Sequence, residues 1–181
     1  MTFEEKTLKS ERIYEGHIIN LRRDEVTVQN GTSMREIVEH NGGAVLAAVT
    51  DEGKLVMVRQ YRKAAKRVML EVPAGKIDPG ESAETTAKRE LKEETGYTPK
   101  HVRFLMQFFP SVGYSEEILY LYLCTGLAAG ETHFDENEAL DIEEYEIDEL
   151  YEMVMAGKIE DGKTIIAILT VKKLMEEGKL A

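Results

Sequence analysis

Alternating hydrophobic and polar positions dominate the first part of the chain and predict β-strands. Residues 8–40 read as short strands interrupted by a turn at Asn30-Gly31, a pair typical of a hairpin. The next segment, "NGGAVLAAVTDEGKLVMVRQYRK", contains two apolar strands joined by "DEG", which predicts a second hairpin. In "RVMLEVPAGKI" a further strand is interrupted by Pro73 and Gly75, so we expect a loop to leave the sheet there.

A helical period replaces the alternation from about Ser82 to Thr95. Ser82 is a suitable N-cap, and Gly96 supplies the residue that can adopt the left-handed conformation at a helix end. Apolar residues recur every four positions and predict one core-facing stripe, at Ala83, Ala87 and Leu91. The helix therefore has a buried face and clear ends.

The remaining chain mixes strands and helices. Two strand-like segments flank the loop "PSVGYSEE", and an acidic run over residues 135–149 is expected to be a solvated connection. Two helical patterns follow, "DELYEMVMAGK" and "KTIIAILTVKKLMEEGK". This order predicts an α/β (α+β) domain with a mixed sheet over residues 41–181, preceded by a small antiparallel β appendage over residues 1–40.

Composition and charge narrow the class of protein. The chain has 181 residues, of which 43% are hydrophobic and 31% charged, as in a soluble globular protein, and no apolar run is long enough to cross a membrane. The charged N-terminus lacks the apolar core of a secretory signal, and the single Cys124 forms no disulfide framework, so we expect a cytoplasmic protein. A net charge of −11 argues against a nucleic-acid polymer as partner, but it allows a small phosphorylated ligand.

The stretch "RELKEETG", residues 89–96, crowds three carboxylates against the end of the predicted helix. Each is disfavoured there by about 0.3–1 kcal/mol, because a helix C-terminus carries the negative end of the macrodipole. At 100° per residue, Glu94 lies about 40° from Glu90 on the helix surface, and Glu93 about 60° away on the other side. Carboxylates gathered on one face suit Mg²⁺ or Mn²⁺, although a solvated charged face is the alternative that this stretch alone leaves open.

The wider spacing decides between these two interpretations. From Gly75 the chain reads Gly75, five residues, Glu81, seven residues, Arg89-Glu90-Leu91, one residue, Glu93-Glu94, one residue, Gly96. This resembles the Nudix box, G-x5-E-x7-R-E-U-x-E-E-x-G-U, where U is a bulky aliphatic residue. All fixed positions match, and the departure is the last U, which is Tyr97 here. The chain is thus identified as resembling the Nudix hydrolase superfamily, which implies an α/β/α sandwich.

The resemblance implies roles for individual residues of the box. Glu90 and Glu94 would be the main ligands of divalent cations, more than one ion per site, with Glu93 assisting. The carbonyl of Ala74, just before the box, would be a further ligand. The other box residues would have structural roles: Arg89 and Glu81 as an ion pair that orients the carboxylates, Gly75 as an unusual turn and Gly96 as the helix stop.

Residues outside the box resemble the ADP-ribose pyrophosphatase branch of the superfamily. The resemblance rests on the segments "REIVEH", "VRQYRKA" and "LEVPAGKIDPGE". It extends over nearly the whole chain, including the appendage. It implies a homodimer formed through the N-terminal sheet, with both subunits contributing to each substrate site. Arg62 would approach the substrate phosphates, and Glu71 would hold Arg62 or a metal.

The base that activates water would, by the same resemblance, be a Glu on the loop "PSVGYSEE". Alignment on the following strand favours Glu117, with the neighbouring Glu116 as the alternative. Ser111 and Gly113 of this loop would bind substrate. The loop departs from the branch's Ser-Pro-Gly-Gly form because Phe109 stands where Ser would be, which puts sugar recognition in question.

The expected activity is hydrolysis of ADP-ribose to AMP and ribose 5-phosphate, an ADP-ribose diphosphatase reaction of nucleotide metabolism. Two alternatives stay open: hydrolysis of another nucleoside diphosphate derivative, such as a nucleotide sugar or a dinucleoside polyphosphate, and an ADP-ribose-binding module without catalysis. An oxidised nucleoside triphosphate is a further possible substrate, since the box recognises pyrophosphate and metal rather than the leaving group. The four histidines show no ligand spacing and are expected to be incidental: His17, His40, His101 and His133.

Overall fold

The computed structural model describes residues 3–132 and 140–180. Within these limits the chain divides into two compact units, residues 3–42 with Phe109–Ile118, and Gly43–Phe108 with residues 119–132 and 140–180. His133 and the first part of the acidic run lie outside the described residues. Of the helices in the described ranges, none has the length and hydrophobicity needed to cross a membrane.

The first unit is built on a three-stranded antiparallel sheet. Its strands are β1 (Thr7–Glu15), β2 (Asn20–Val28) and β3 (Gly31–Glu39), which lie side by side in that order. Val28 pairs with Gly31, so the predicted hairpin is present with its turn one residue earlier, at Gln29-Asn30. Gly31 has a φ of +110°, a conformation that favours glycine.

The loop 109–118 belongs to the same unit. The amide of Val38 donates to the carbonyl of Tyr114 at 2.7 Å, and the amide of Glu116 donates to the carbonyl of Val38 at 2.9 Å. These bonds extend the edge of β3 with a short parallel bridge between Val38 and Ser115. The loop that carries both candidate bases is therefore fastened by its backbone to the N-terminal sheet.

The second unit contains a mixed four-stranded sheet, a three-stranded antiparallel sheet and three helices. The elements are β4 (Gly43–Ala48), β5 (Lys54–Arg62), β6 (Arg67–Glu71), β7 (Ala74–Lys76), α1 (Ala83–Thr95), β8 (Thr98–Phe108), β9 (Leu119–Ala128), β10 (Asp141–Glu146), α2 (Ile147–Met155) and α3 (Gly162–Glu176). The mixed sheet is ordered β7-β4-β9-β8, with the central pair β4 and β9 parallel, and the second sheet is ordered β10-β5-β6.

Strand β4 shows why the helices form two layers. It is buried at every position, and successive side chains point to opposite faces. Val45 and Ala47 join a core with Leu150 of α2 and Ile168 of α3, whereas Leu46 packs with residues of α1. The sheet thus has α1 on one face and α2 and α3 on the other, which confirms the expected α/β/α arrangement and mixed sheet.

The predicted hairpin between β4 and β5 is wrong as a strand pairing. The turn forms, with the amide of Gly53 donating to the carbonyl of Thr50 at 2.9 Å. Beyond the bridge between Val49 and Leu55, however, the two strands enter different sheets. Both edges of β4 are already paired, with β7 and β9, so β5 must leave the sheet.

The described part of the acidic run is also not a solvated connection. Residues 141–146 form β10, which pairs antiparallel with β5. Glu143 accepts a hydrogen bond from Nε of Arg59 at 2.5 Å, and Nη2 of Arg59 donates to the hydroxyl of Tyr145 at 2.9 Å. A cation on the neighbouring strand offsets the negative charge and allows this acidic segment to join a sheet.

Candidate functional site

Helix α1 begins and ends where its sequence predicts. The hydroxyl of Ser82 accepts a hydrogen bond from the amide of Thr85 at 3.1 Å, which caps the first turn. Gly96 adopts a left-handed φ of +75°, and its amide donates to the carbonyl of Lys92 at 2.9 Å. Leu91 is fully buried. These contacts fix the rotation of the helix and with it the direction of its carboxylates.

Arg89 connects the carboxylates of the box. Its Nη2 donates to Oε2 of Glu81 at 3.0 Å, and its Nη1 donates to Glu90 at 2.7 Å and to Glu93 at 3.0 Å. The Glu81 carboxylate holds the pKa of the Arg89 guanidinium above its ordinary value. Hydrogen bonds from Arg89 and from the Thr86 hydroxyl lower the pKa of Glu81. The predicted pair between Arg89 and Glu81 is present, and one guanidinium orients three carboxylates.

Two carboxylates of α1 approach the short strand β7. Oε2 of Glu94 accepts a hydrogen bond from the amide of Ala74 at 3.2 Å, and Glu94 is only 5% exposed. Glu90 lies so close to Gly75 that a Cβ there would overlap its carboxyl group. Gly75 pairs with Ala44 in the sheet and does not form the unusual turn that was expected. Its role is to leave room for Glu90.

The donor atoms at this place suit a hard divalent cation. They are carboxylate oxygens of Glu90, Glu93 and Glu94 together with the nearby backbone of Ala74, an all-oxygen set of the kind that Mg²⁺ and Mn²⁺ prefer. Among the described residues, no group of three or more carboxylate, histidine or cysteine side chains is arranged to hold a metal ion. Instead, the guanidinium of Arg89 forms ion pairs with one carboxylate oxygen of Glu90 and one of Glu93. A bound cation would compete with the guanidinium for these oxygens.

A second network contains Arg62 and Glu71. Nε and Nη2 of Arg62 donate to the two oxygens of Glu71, each at 2.7 Å, so the predicted contact between them is bidentate. Glu71 is 2% exposed and also contacts Nζ of Lys163. Burial raises the pKa of Glu71, but hydrogen bonds from Arg62 and Lys163 outweigh it, and the net pKa lies below its ordinary value.

Lys163 was not among the residues that sequence reasoning selected. It lies in the first turn of α3, one residue after Gly162, and its Nζ also contacts Oδ2 of the N-cap Asp161 at 3.0 Å. A cation near a helix N-terminus is disfavoured by about 0.3–1 kcal/mol. The signal that could have found Lys163 is therefore the same one that marked the box glutamates, a charge at the unfavourable helix pole.

The two candidate bases differ in their surroundings within the first unit. Oε1 of Glu116 accepts a hydrogen bond from Nη2 of Arg22 at 2.5 Å. Arg22 also binds Glu39 at 2.8 Å, and Glu116 is the largest cause of the raised pKa of Arg22. Oε1 of Glu117 lies 3.6 Å from Nδ1 of His40. Glu116 is thus held in an ion pair with Arg22, whereas Glu117 has His40 as its neighbour.

His40 is a neighbour of Glu117 that its sequence position did not reveal. Its Nδ1 accepts a hydrogen bond from the amide of Gly42 at 3.0 Å, and its side chain is mostly buried. The expectation that this histidine is incidental therefore misses a contact. In the same loop the carbonyl of Ser111 accepts from the amide of Ser115 at 3.0 Å, and Gly113 has open space where a side chain would project.

The residue that departs from the box pattern has a specific contact. The hydroxyl of Tyr97 donates to Oε1 of Glu144 on β10 at 2.6 Å, and its ring packs against the core under α1. This bond to Glu144 raises the pKa of Tyr97. The substitution therefore links the end of the box to the acidic strand, a contact that an aliphatic residue could not make.

Two family models match long stretches of this chain. The NUDIX domain family matches residues 40–168, and the nucleoside diphosphate sugar hydrolase N-terminal domain matches residues 5–38. The chain therefore belongs to the Nudix hydrolase family. Nudix hydrolases generally use divalent metal ions, in keeping with the all-oxygen donor set of this box.

Individual relatives cover almost the whole chain. The methanol dehydrogenase activator of Bacillus methanolicus is 44% identical over 169 residues, 92% of this chain and 91% of the relative. The ADP-ribose pyrophosphatase of Bacillus subtilis is 40% identical over 183 residues, 98% and 99% of the two chains. The ADP-ribose pyrophosphatase of Mycobacterium tuberculosis is 36% identical over 171 residues, 92% and 82%. These matches confirm the resemblance that the box and its flanking segments predicted.

A solved structure supports the fold. The crystal structure of an ADP compounds hydrolase superposes with a TM-score of 0.86 and covers 99% of this chain and 98% of its own. Sequence identity is 20%, so this likeness concerns the fold.

Proposed function

We propose that this Nudix hydrolase cleaves ADP-ribose to AMP and ribose 5-phosphate. The observation that carries the proposal is the convergence of Glu90 and Glu94 on the backbone at Ala74 and Gly75, with Arg89 orienting the group. Two relatives at 40% and 36% identity bear the name ADP-ribose pyrophosphatase, and their alignments include the flanking segments as well as the box.

Mg²⁺ is the proposed cofactor, with more than one ion per site and Mn²⁺ as a substitute. Glu90 and Glu94 would be the main ligands, assisted by Glu93 and the carbonyl of Ala74. Bound divalent cations supply positive charge that offsets the charge of the pyrophosphate. Arg62 adds a permanent cation for the phosphates, held in place by the bidentate contact with Glu71.

Glu117 is the proposed general base, and Ser111 and Gly113 of the same loop are proposed to bind substrate. The carboxylate of Glu117 takes a proton from water as the water oxygen forms a bond to phosphorus and the bond from phosphorus to the bridging oxygen breaks. The support for Glu117 over Glu116 is that Arg22 already binds the carboxylate of Glu116.

A homodimer through the first unit is also proposed. The exposed apolar residues of its sheet and connections support this, because a three-stranded sheet needs a covered apolar face for stability. They are Phe3, Leu8, Ile13, Tyr14, Ile18, Ile19 and Met34.

The proposed location is the cytoplasm, where Cys124 remains a reduced core residue; burial raises the pKa of its thiol to about 12.

A substrate panel tests the proposed activity. With Mg²⁺, ADP-ribose should be cleaved to AMP and ribose 5-phosphate faster than GDP-mannose, NADH, a dinucleoside polyphosphate or an oxidised nucleoside triphosphate. Glu94→Gln should lower kcat by about 100-fold or more, because the loss of a residue that only supports a metal ligand already costs about 10–100-fold. Glu84→Gln, on the exposed first turn of the same helix, is the matched control.

Two outcomes would count against the proposal. Preference for another member of the panel would reassign the substrate while keeping the hydrolase. Tight binding of ADP-ribose by calorimetry with no AMP released would favour a binding module instead.

A further inference from the structure

Lys163 joins two carboxylates in a mostly buried group. Its side chain is 12% exposed, and its Nζ contacts Oε2 of Glu71 and, at 3.0 Å, Oδ2 of Asp161. Asp161 is itself fixed, because it accepts hydrogen bonds from the amide of Thr164 at 3.0 Å and from its hydroxyl at 2.5 Å. Lys163 therefore has little freedom to turn towards solvent, and its charge is committed to these partners.

The same carboxylate of Glu71 holds Arg62. Both of its oxygens accept from Arg62, whose side chain remains 42% exposed and so keeps an accessible face. The charge of Arg62 also interacts with those of Asp161 and Glu94. The group thus lies within electrostatic range of Glu94, one of the two main metal ligands proposed above.

The charges of this group balance. Arg62 and Lys163 are cations, and Glu71 and Asp161 are anions, so the four side chains together carry no net charge. Without Lys163 the group would carry one negative charge next to a site for an anionic pyrophosphate. Arg62 would then be the sole cation for two carboxylates, and its attraction for phosphate would be weakened.

We propose that Lys163 is a positioning residue that offsets the charge of Glu71 and Asp161, so that Arg62 stays available to the substrate phosphates. The proposal rests on the function given above, since it assumes that Arg62 meets a pyrophosphate. Its effect is on binding. The balancing charge is present with substrate and transition state alike, and an interaction of that kind changes KM rather than kcat.

Replacement of Lys163 tests this. Lys163→Met keeps an unbranched side chain but removes the charge, and it should raise KM for ADP-ribose about tenfold with kcat changed less than about threefold. Lys163→Arg should stay within about threefold of the wild-type KM, because it keeps the charge. The Mg²⁺ concentration for half-maximal activity should be the same in all three proteins. An unchanged KM in Lys163→Met would overturn the proposal.

A double variant separates charge balance from a packing role. Asp161→Asn combined with Lys163→Met restores the neutral group, and asparagine remains a good helix N-cap. The KM of the double variant should return to within about threefold of wild type. If Lys163→Met alone melts below the assay temperature, the double variant still tests the role of charge balance. If the double variant folds but keeps the raised KM, the charge-balance role is wrong.

The Kd of inorganic pyrophosphate with Mg²⁺, measured by calorimetry, separates this proposal from the assignment of ADP-ribose. It should be about tenfold weaker in Lys163→Met and recover in the double variant. If this pattern appears while ADP-ribose is not cleaved, the substrate assignment fails and the role of Lys163 stands. If ADP-ribose is cleaved and the Kd is equal in all variants, the role of Lys163 fails.

Discussion

The carboxyl group of Glu90 occupies the space that a side chain at Gly75 would need. Gly75 lies on β7 and Glu90 on α1, so this contact brings the helix against the strand. The preceding residue of the strand, Ala74, donates its amide hydrogen to Glu94 of the same helix. The missing side chain on the strand is therefore part of the site, since it allows the carboxylate to reach its position.

We expect Gly75→Ala to lower activity by about 100-fold, because a displacement of a catalytic group by about 1 Å is enough for such a loss. The added methyl group would push the Glu90 carboxylate away from β7. Steady-state kinetics at saturating Mg²⁺ would measure the loss, and circular dichroism would show whether the fold is kept.

Gly162→Ala is the matched control for this change. Gly162 is also a glycine with a negative φ, and a Cβ there would meet no atom within 4 Å. The Gly162→Ala variant should therefore be as active as the wild type. Full activity in Gly75→Ala would show that Glu90 does not need this space.

The two loop glutamates should differ in their effect on turnover. Glu117→Gln should lower kcat by about 100-fold or more, the usual contribution of a general base, whereas Glu116→Gln should keep kcat within about tenfold. Glu116 is bound by Arg22, so its loss alters the loop rather than the proton transfer. If both variants were as active as wild type, the base would lie elsewhere; the reverse order would assign it to Glu116.

Acid should remove the stabilisation that Glu81 provides. Arg89, and secondarily Thr86, lower the pKa of Glu81 in the folded protein, so the unfolded chain binds a proton at this group more readily. The contribution is therefore complete well above the ordinary pKa of a glutamate, about 4.3. It is lost as the pH falls through the lower, folded value.

Glu81→Gln should lower the free energy of unfolding at pH 7 by about 1 kcal/mol. The difference from wild type should shrink as the pH falls below about 4. Urea unfolding at several pH values would measure this. Glu84→Gln, which loses a surface ion pair with Lys88, should change stability by less than about 0.5 kcal/mol. A difference between Glu81→Gln and wild type that grows in acid would contradict the assigned sign.

Ile13→Glu should break the proposed dimer. Ile13 is 47% exposed on β1, a strand with every residue exposed, and a charge there would oppose burial against a second copy. Sedimentation should find a mass near twice 20.5 kDa for wild type and near 20.5 kDa for the variant. Met155→Glu, at an exposed residue of α2, should remain a dimer. A monomeric wild type at micromolar concentration would contradict the proposed dimer.

Contacts between neighbours in sequence were predictable. The ends of α1 at Ser82 and Gly96, its buried stripe and the pair between Arg89 and Glu81 all agree with the structure. The ends and the stripe depend on residues of α1 and its caps, which helix geometry relates to one another, whereas the pair between Arg89 and Glu81 was implied by the resemblance to the Nudix box. The family could be recognised from the sequence by resemblance, because the fixed positions of the box from Gly75 to Gly96 all match.

Contacts between distant segments required the folded chain. Lys163 and Glu71 are 92 positions apart, and their charges meet because α3 packs beside the end of β6. The space for Glu90 at Gly75, the departure of β5 from β4, and the attachment of the Glu116 loop to β3 likewise follow from which strands pair. Local periodicity sets the direction of a side chain along its own element, but the partner it meets depends on how the elements of its unit pack together.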